Sequence, residues 1–145
     1  MIKITKIISI FFIVLNLTNS VLAENTFFEE GKKKYNEKKY EESKFLFQRS
    51  IVFNPKDQNS YLYLAKIYNF EDNKSEEQKN INTVLLLDPK NEEANYLLME
   101  IELKKSNYSK VKELAENFTK ICNKLCDKKI LILESLENLE PKNES

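Results

Sequence analysis

The chain has 145 residues, a balanced charge with 23 basic and 23 acidic residues, and no histidine. Without a basic excess it lacks the signature of a nucleic-acid-binding protein, and without histidine it lacks the commonest general base and zinc ligand. Its one glycine cannot form a glycine-rich phosphate-binding loop, so the composition predicts no metal site and no cofactor site.

Residues 1–23 have the order of a secretory signal peptide. Two lysines precede an apolar run at residues 7–17, and small residues lead to Ala23. The sequence therefore predicts cleavage between Ala23 and Glu24, which leaves a periplasmic or secreted protein with 21 basic and 23 acidic residues. The alternative is an uncleaved membrane anchor, but the apolar run is shorter than the roughly 20 residues that a spanning helix needs. Membrane contact is predicted only through this segment, if it is retained.

One segment of the sequence recurs in similar form. The segment from Asn54 to Tyr68, NPKDQNSYLYLAKIY, recurs from Asp88 to Glu102 as DPKNEEANYLLMEIE, and Pro55 aligns with Pro89. A third, weaker copy begins at Glu92. We call the interval from Pro55 to Pro89 the repeat period. A repeat period of about 34 residues is typical of proteins built from repeated helical units.

The best copy has the packing pattern of a helix. Tyr61, Leu64, Ala65 and Tyr68 fall on one helical face. The small Ala65 lets a neighbouring helix approach, while the larger residues fill the space around it. The period-two alternation of strands is absent, so the sequence predicts an all-α chain.

These residues make the chain similar to tetratricopeptide repeat (TPR) proteins, specifically to small exported bacterial members of that family. Tyr61, Leu64, Ala65 and Tyr68 stand where the family has Trp, Leu, Gly and Tyr, and Pro89 ends the unit. Matches in the first and third units are Phe27, Gly31, Tyr40, Ser43, Phe47, Ser50, Pro55, Leu98, Tyr108, Val111 and Phe118. The resemblance implies a right-handed superhelix of three helix-turn-helix repeats, at residues 24–57, 58–91 and 92–125.

Two positions depart from the family pattern. Glu77 and Met99 stand where the second and third units should have small residues, and no proline closes the third unit. Local signals nevertheless predict helix starts, because Ser75 opens a capping-box sequence, and Asp57 and Asn91 follow the two prolines at capping positions.

The C-terminal segment is expected to close the repeat array. Such arrays need an end cap, and residues 126–140 offer one, with a disordered tail at 141–145. The apolar residues expected to pack the capping helix recur at helical spacing and are Ile130, Leu133, Leu136 and Leu139.

Cys122 and Cys126 are the only cysteines, and an even pair in an exported chain predicts a disulfide. Two residues four apart on an unbroken helix are too far apart for good disulfide geometry, so the helix should break between them. Inert thiols and a redox function are the alternatives. The spacing is not the Cys-x-x-Cys of thiol oxidoreductases.

The residues present no catalytic arrangement, so we predict that the protein is not an enzyme. Its paired carboxylates sit in first helical turns, where they complement the helix dipole. The TPR resemblance instead implies a protein–protein interaction module in the cell envelope, which binds a partner's peptide or helix in a concave groove. Predicted groove residues are Phe28, Lys32, Tyr35, Leu62, Lys66, Asn69, Tyr96, Glu100 and Leu103.

Aromatic and apolar groove residues beside two lysines suit a peptide with apolar anchors and an acidic group. Helix packing alone is the alternative explanation for Phe28, Leu62 and Tyr96. Some TPR proteins clamp a C-terminal carboxylate with Lys, Asn and Arg, but here the clamp positions hold Phe28, Lys32, Tyr63, Glu93 and Leu97. An envelope assembly factor, or a thiol-redox factor using the cysteine pair, remains the alternative function.

Overall fold

The computed structural model describes residues 26–139, and in this range the chain is helical, with no β-strand. The predicted signal peptide (1–23), residue 140 and the predicted tail (141–145) lie outside the described residues. The helices are α1 (residues 26–36), α2 (Tyr40–Phe53), α3 (Gln58–Phe70), α4 (Lys74–Leu87), α5 (Glu92–Lys104), α6 (Tyr108–Ile121) and α7 (Cys126–Leu139).

The chain divides into two compact units, with the boundary between Ile67 and Tyr68 near the end of α3. The first unit contains α1, α2 and most of α3. The second contains the end of α3 and the helices from α4 to α7.

The same tight turn precedes α2, α4 and α6. Lys38, Asp72 and Ser106 follow one another at the repeat period and have φ angles of 60°, 55° and 58°. In all three turns the next N–H bonds to the carbonyl five residues earlier, at 2.9–3.0 Å, which is the closing bond of a left-handed helix end. The period of the sequence is therefore present in the backbone.

A second kind of turn precedes α3 and α5. Asn54 and Asp88 are equivalent residues of successive repeats, and each side chain accepts a 3.0 Å hydrogen bond from the N–H two residues later. Pro55 and Pro89 follow them and stop the preceding helix, because proline has no N–H to donate. At the third equivalent position the chain has Cys122, and no proline follows it.

The last helix begins in the register of the repeat. Helices α3, α5 and α7 start at Gln58, Glu92 and Cys126, which again follow one another at the repeat period. Ile132 of α7 correspondingly occupies the position of Leu64 in α3, and both are 4% exposed. In the described range α7 is thus equivalent to the first helix of a fourth unit.

The capping helix packs through a different stripe from the one predicted. Ile132 and Leu136 are buried and Leu133 packs beside them, but Ile130 and Leu139 are 54% and 57% exposed. The prediction was wrong for Ile130 and Leu139. An α-helix turns about 100° per residue, so residues three apart do not lie directly above one another. From Ile130 to Leu139 this offset adds up to about 180°, and the two ends of the predicted stripe therefore leave the buried face.

Close approach of α1 and α2 organises the first unit. The buried Ser43 hydroxyl donates a 2.9 Å hydrogen bond to the carbonyl of Gly31, which has the ring of Phe47 beside it. Ser43, Phe47 and Ser50 are fully buried at intervals of four and three residues along α2. The absence of a side chain on Gly31 is what leaves room for Phe47.

The second unit has a core formed by α5, α6 and α7. The Tyr108 hydroxyl donates a 3.0 Å hydrogen bond to the carbonyl of Leu139, which ties the start of α6 to the end of α7. The buried members of the core cluster are Met99, Val111, Ala115, Phe118, Ile132 and Leu136.

Glu77 is buried at a position where the family has a small residue. It is 5% exposed, and its Oε1 accepts a 2.6 Å hydrogen bond from the amide of Asn69. A buried carboxylate requires such a partner, and no buried side-chain N or O atom in the described range lacks one. Asn69, a predicted groove residue, is therefore engaged with α4.

Asn73 rather than Ser75 caps α4. Its side chain accepts a 3.2 Å hydrogen bond from the N–H of Glu76. The prediction for Ser75 was wrong because the turn at Asp72 lets α4 begin already at Lys74. The predicted cap of α5 is present, since the Asn91 side chain accepts a 3.0 Å hydrogen bond from the N–H of Ala94.

Candidate recognition surface

The first unit gathers four of the predicted groove residues around one tyrosine. The ring of Tyr63 packs edge-on against Phe28, with centroids 5.9 Å apart, and against Tyr35, with centroids 5.1 Å apart. Lys32 lies on the same helix as these two partners, and Lys66 follows Tyr63 on α3. We call Phe28, Lys32, Tyr35, Tyr63 and Lys66 the aromatic–lysine surface.

This surface rests directly on the core of the first unit. The fully buried ring of Phe47 stacks on Tyr63 at 4.9 Å and meets Phe28 at 5.8 Å. Such ring pairs hold each other in defined orientations. The rings of Tyr63, Phe28 and Tyr35 remain partly exposed, so the aromatic–lysine surface presents ordered aromatic rings to solvent.

Two lysine ammonium groups lie over rings of the aromatic–lysine surface. Lys66 Nζ is 4.8 Å from the ring centroid of Tyr63, and Lys32 Nζ is 5.3 Å from that of Phe28. Both distances are within the range of cation–π attraction. Lys32 also pairs with Glu29 at 3.2 Å. Positive charge is thereby held next to exposed aromatic area, where an acidic ligand group can meet both.

Leu62 is not part of the surface. It is 6% exposed, so its predicted role as a groove contact is wrong, and it belongs to the core. Tyr63, the next residue, takes the surface position, because a tyrosine can bury its ring edge and keep its hydroxyl in water while a leucine cannot. Sequence reasoning placed Tyr63 only at a carboxylate-clamp position and missed its central role.

Of the remaining predicted groove residues, Asn69 lies at the end of α3, and Tyr96, Glu100 and Leu103 lie on α5 in the second unit. The Tyr96 hydroxyl donates a 2.6 Å hydrogen bond to Glu100, and burial together with this bond raises the pKa of Tyr96 to about 12. Tyr96 and Leu103 pack against the core cluster, and Lys128 Nζ of α7 lies 5.5 Å from the Tyr96 ring centroid. These side chains are engaged in packing within the unit, and their contact with a partner stays a prediction.

The two cysteines lie at disulfide distance. Their Sγ atoms are 2.17 Å apart and their Cα atoms 5.2 Å apart. Helix α6 ends at Ile121 and α7 begins at Cys126, so the helix is interrupted between the cysteines, as the geometry of the pair requires.

The loop between the cysteines is held by a carboxylate from α5. Oε2 of Glu92 accepts 2.9 Å hydrogen bonds from the N–H groups of Lys124 and Leu125. Hydrogen bonds from the backbone of residues 123–125 hold the pKa of Glu92 below its usual value, because they stabilise the charged form. The cysteine pair and Glu92 together fix the start of α7.

The described residues contain neither a candidate metal site nor a candidate membrane-spanning helix. In residues 26–139, no three His, Cys, Asp or Glu side chains are grouped so that they could hold a metal ion. None of the helices in that range is both long enough and apolar enough to cross a membrane.

No family model and no curated protein matches the sequence significantly. Solved structures do match the fold. The TPR2B domain of yeast Sti1, in its pHsp70 complex, has a TM-score of 0.74 at 12% identity, covering 82% of this chain and 99% of that one. The chain has the tetratricopeptide-repeat fold. The all-α, TPR-like class predicted from the sequence is confirmed.

Further TPR structures agree. The TPR domain of Arabidopsis OM64 has a TM-score of 0.72 at 15% identity and covers 82% of this chain and 98% of its own. The Yersinia enterocolitica chaperone SycD, in complex with a peptide of the translocator YopD, has a TM-score of 0.68 at 17% identity, with coverages of 79% and 89%. At these identities the likeness concerns the fold.

The positions of the possible carboxylate clamp, given above from the sequence, hold mainly aromatic, apolar and acidic side chains. They hold Phe28, Lys32, Tyr63, Glu93 and Leu97. Two of these, Phe28 and Tyr63, contact each other in the aromatic–lysine surface. Only Lys32 offers a positive charge, so the chain has aromatic area where the clamp would need polar groups.

Proposed function

We propose that the protein is a non-enzymatic TPR interaction module of the cell envelope, which binds a partner segment carrying an acidic side chain beside an apolar anchor. The observation that carries this proposal is the placement of Lys32 and Lys66 over the rings of Phe28 and Tyr63. Rigid aromatic area supplies contact at low entropic cost, and the ammonium groups select for negative charge.

Peptide-bound TPR structures support this kind of ligand. The second TPR domain of human RPAP3 is in complex with the HSP70 peptide SGPTIEEVD, and it has a TM-score of 0.69 at 17% identity to this chain. That peptide combines three acidic residues with an isoleucine and a valine. We infer the same combination for the partner here, but with side-chain carboxylates rather than a clamped C-terminus.

The location in the envelope is part of the proposal and rests on residues 1–23. Their charged, apolar and small-residue order supports export with cleavage between Ala23 and Glu24. N-terminal sequencing of the protein from cell fractions tests this. We expect the first residue to be Glu24, and a membrane-embedded chain starting at residue 1 would favour an anchor instead.

Charge reversal at Lys66 tests the recognition surface. We expect Lys66→Glu to weaken capture of the native partner from solubilised envelopes, because it places like charges together at the interface. Its effect on folding should stay within about 1 kcal/mol, the range of an exposed cation–π contact. Lys79→Glu is the matched control, because Lys79 is an exposed lysine on α4 with 71% of its side chain accessible.

A thiol-redox or envelope assembly factor is the alternative function. It would act through Cys126, which is exposed at the start of α7, and its partner Cys122. Replacing both by serine separates the hypotheses. A recognition module should keep both partner capture and cellular activity in the double variant, whereas a redox factor should keep partner capture but lose its cellular activity.

A further inference from the structure

The third junction between helix pairs lacks the residues that stop the helix at the first two. We call the residues between one helix pair and the next a junction. Asn54 and Asp88 form the turns before α3 and α5, and the equivalent residue before α7 is Cys122. Asn123 follows it where the other two junctions have a proline. Residues 108–139 contain neither proline nor glycine, so neither of the strong helix breakers separates α6 from α7.

The residue directly before α7 also differs from its equivalents. Asp57 and Asn91 precede α3 and α5, and the Asn91 side chain accepts a 3.0 Å hydrogen bond from the N–H of Ala94. The equivalent residue before α7 is Leu125. A leucine side chain cannot accept a hydrogen bond, so it cannot cap a helix.

The apolar stripe of α6 continues across the break. Its buried residues Val111, Ala115 and Phe118 follow the spacing i, i+4, i+7. Cys122 and Leu125 extend this spacing to i+11 and i+14, and both pack against the core cluster. At the first two junctions the same two positions hold polar residues. The pattern from Val111 to Leu125 is therefore that of one continuous amphipathic helix.

Two contacts exclude a continuous helix at this junction. The first is the bond between Cys122 and Cys126. On an unbroken helix their Cβ atoms would be about 5–6 Å apart, whereas a disulfide requires about 3.5–4.5 Å. The second is Glu92, whose Oε2 accepts 2.9 Å hydrogen bonds from the N–H groups of Lys124 and Leu125. In a continuous helix these N–H groups would bond to the carbonyls four residues earlier.

We propose that the disulfide is a redox-dependent helix stop, and that its reduction lets α6 and α7 join into one helix through residues 122–125. The bond does at this junction what proline does at the other two, but it can be removed. A dithiol reductant transfers two electrons and two protons: the S–S bond breaks, Cys122 and Cys126 become thiols, and the reductant closes into its own disulfide. The switch lies in the second unit and is independent of the aromatic–lysine surface.

Joining the two helices removes α7 from the core of the second unit. In the oxidised structure α7 packs through Ile132 and Leu136, and the hydroxyl of Tyr108 is hydrogen-bonded to the carbonyl of Leu139. In a continuous helix Tyr108 and Leu139 would lie about 45 Å apart, because each residue adds about 1.5 Å along the axis. These contacts must then break. The redox state of the cysteines thereby controls whether α7 covers the core cluster.

Nuclear magnetic resonance of the isotopically labelled protein tests the switch. In the oxidised protein the ¹³Cα shifts of residues 123–125 should be non-helical, and Tyr108 should show a nuclear Overhauser effect to Leu139. On addition of dithiothreitol we expect these shifts to move to helical values and the Tyr108–Leu139 effect to be lost. The chain has only two cysteines, so the reductant acts on one bond. The double variant Cys122→Ser/Cys126→Ser should show the same two changes without reductant.

Asn123→Pro is the matched control, because it restores the proline of the first two junctions. Cys122 has φ −66° and ψ 142°, the extended conformation that a residue before proline adopts, so the oxidised fold can accept the change. The change removes the N–H of residue 123 and leaves both N–H groups that bond to Glu92 at 2.9 Å. Since proline stops the helix without the disulfide, this variant should keep the Tyr108–Leu139 contact after reduction.

Shifts of residues 123–125 that stay non-helical after reduction, or a Tyr108–Leu139 contact that survives it, would overturn the proposal. It would also be overturned if Asn123→Pro loses that contact on reduction, because the disulfide would then only tie α7 down. Partner capture by the aromatic–lysine surface uses residues of the first unit, so reduction should leave that capture intact. Failure of the switch and failure of the proposed function are thus distinguishable.

Discussion

Gly31 lies against the ring of Phe47: a Cβ on residue 31 would be 2.8 Å from Cε1 of that ring. Real Cβ atoms do not approach carbon so closely, and Phe47 is fully buried with little room to move. The contact explains why the only glycine of the chain stands inside a helix, where glycine is otherwise unfavourable.

We therefore expect Gly31→Ala to lower the free energy of unfolding. Overpacking costs about 1–3 kcal/mol, and better helix propensity offsets about 1 kcal/mol of that. Urea denaturation measures the net loss, and adding Phe47→Leu should recover part of it. A Gly31→Ala protein that is more stable than wild type would show that the ring can move aside.

Introducing glycine at the left-handed turn residues should raise the free energy of unfolding. Lys38→Gly and Ser106→Gly should each stabilise the fold by about 0.5–1 kcal/mol, because a positive φ strains any residue with a Cβ. Lys33→Gly, in the helical part of α1, is the control and should destabilise by about 1 kcal/mol. Thermal melts of the three variants compare the effects directly. Equal losses at residues 38 and 33 would contradict the strained turn.

Protonation of Glu92 should loosen the start of α7. Its pKa in the fold is lowered, so its hydrogen bonds add stability above the pKa of the unfolded chain, and this is lost as pH falls through the folded pKa. We expect Glu92→Gln to flatten this part of the curve of stability against pH, measured from neutral pH down to about pH 3. Glu134→Gln, an exposed change on α7, should leave the curve unaltered. Parallel curves for Glu92→Gln and wild type would argue against the loop contact.

The cysteine pair should be oxidised in protein purified from its native compartment. Titration of the denatured protein with a thiol reagent is expected to find almost no free thiol, and two after reduction. Because the ring between Cys122 and Cys126 is short, replacing both by serine should cost stability near the bottom of the roughly 0–5 kcal/mol range. Two reactive thiols before reduction would leave the pair as inert or redox-cycling cysteines.

The fold was predictable because its determinants are local and repeated. The proline turns and the small residues Gly31 and Ala65 identify helix pairs without knowledge of distant contacts. The turns at Lys38 and Ser106 could not be predicted, because neither residue type favours a positive φ, and only the register of the repeat places them there.

The aromatic–lysine surface was predictable only in part. Register alone placed Phe28, Lys32 and Lys66 correctly at a partly exposed face. It could not decide between the neighbours Leu62 and Tyr63, because which of the two turns inward depends on contacts with Phe47 of another helix. The capping helix was mispredicted because apolar spacing alone does not fix which face of a helix is buried. Apolar spacing predicted that Ile130 is buried, whereas extending the register of the repeat from Leu64 would have predicted Ile132, which is the buried residue.

Site-specific photocrosslinking in living cells tests the central claim, that the aromatic–lysine surface binds a partner segment. A photoreactive phenylalanine analogue replaces Tyr35, which lies within the surface, and in a control it replaces Leu86, which is exposed on α4. We predict a discrete crosslinked species from position 35, its loss when Lys66→Glu is added, and none from position 86. Equal crosslinking from both positions, or a species at position 35 that Lys66→Glu leaves undiminished, would contradict the account.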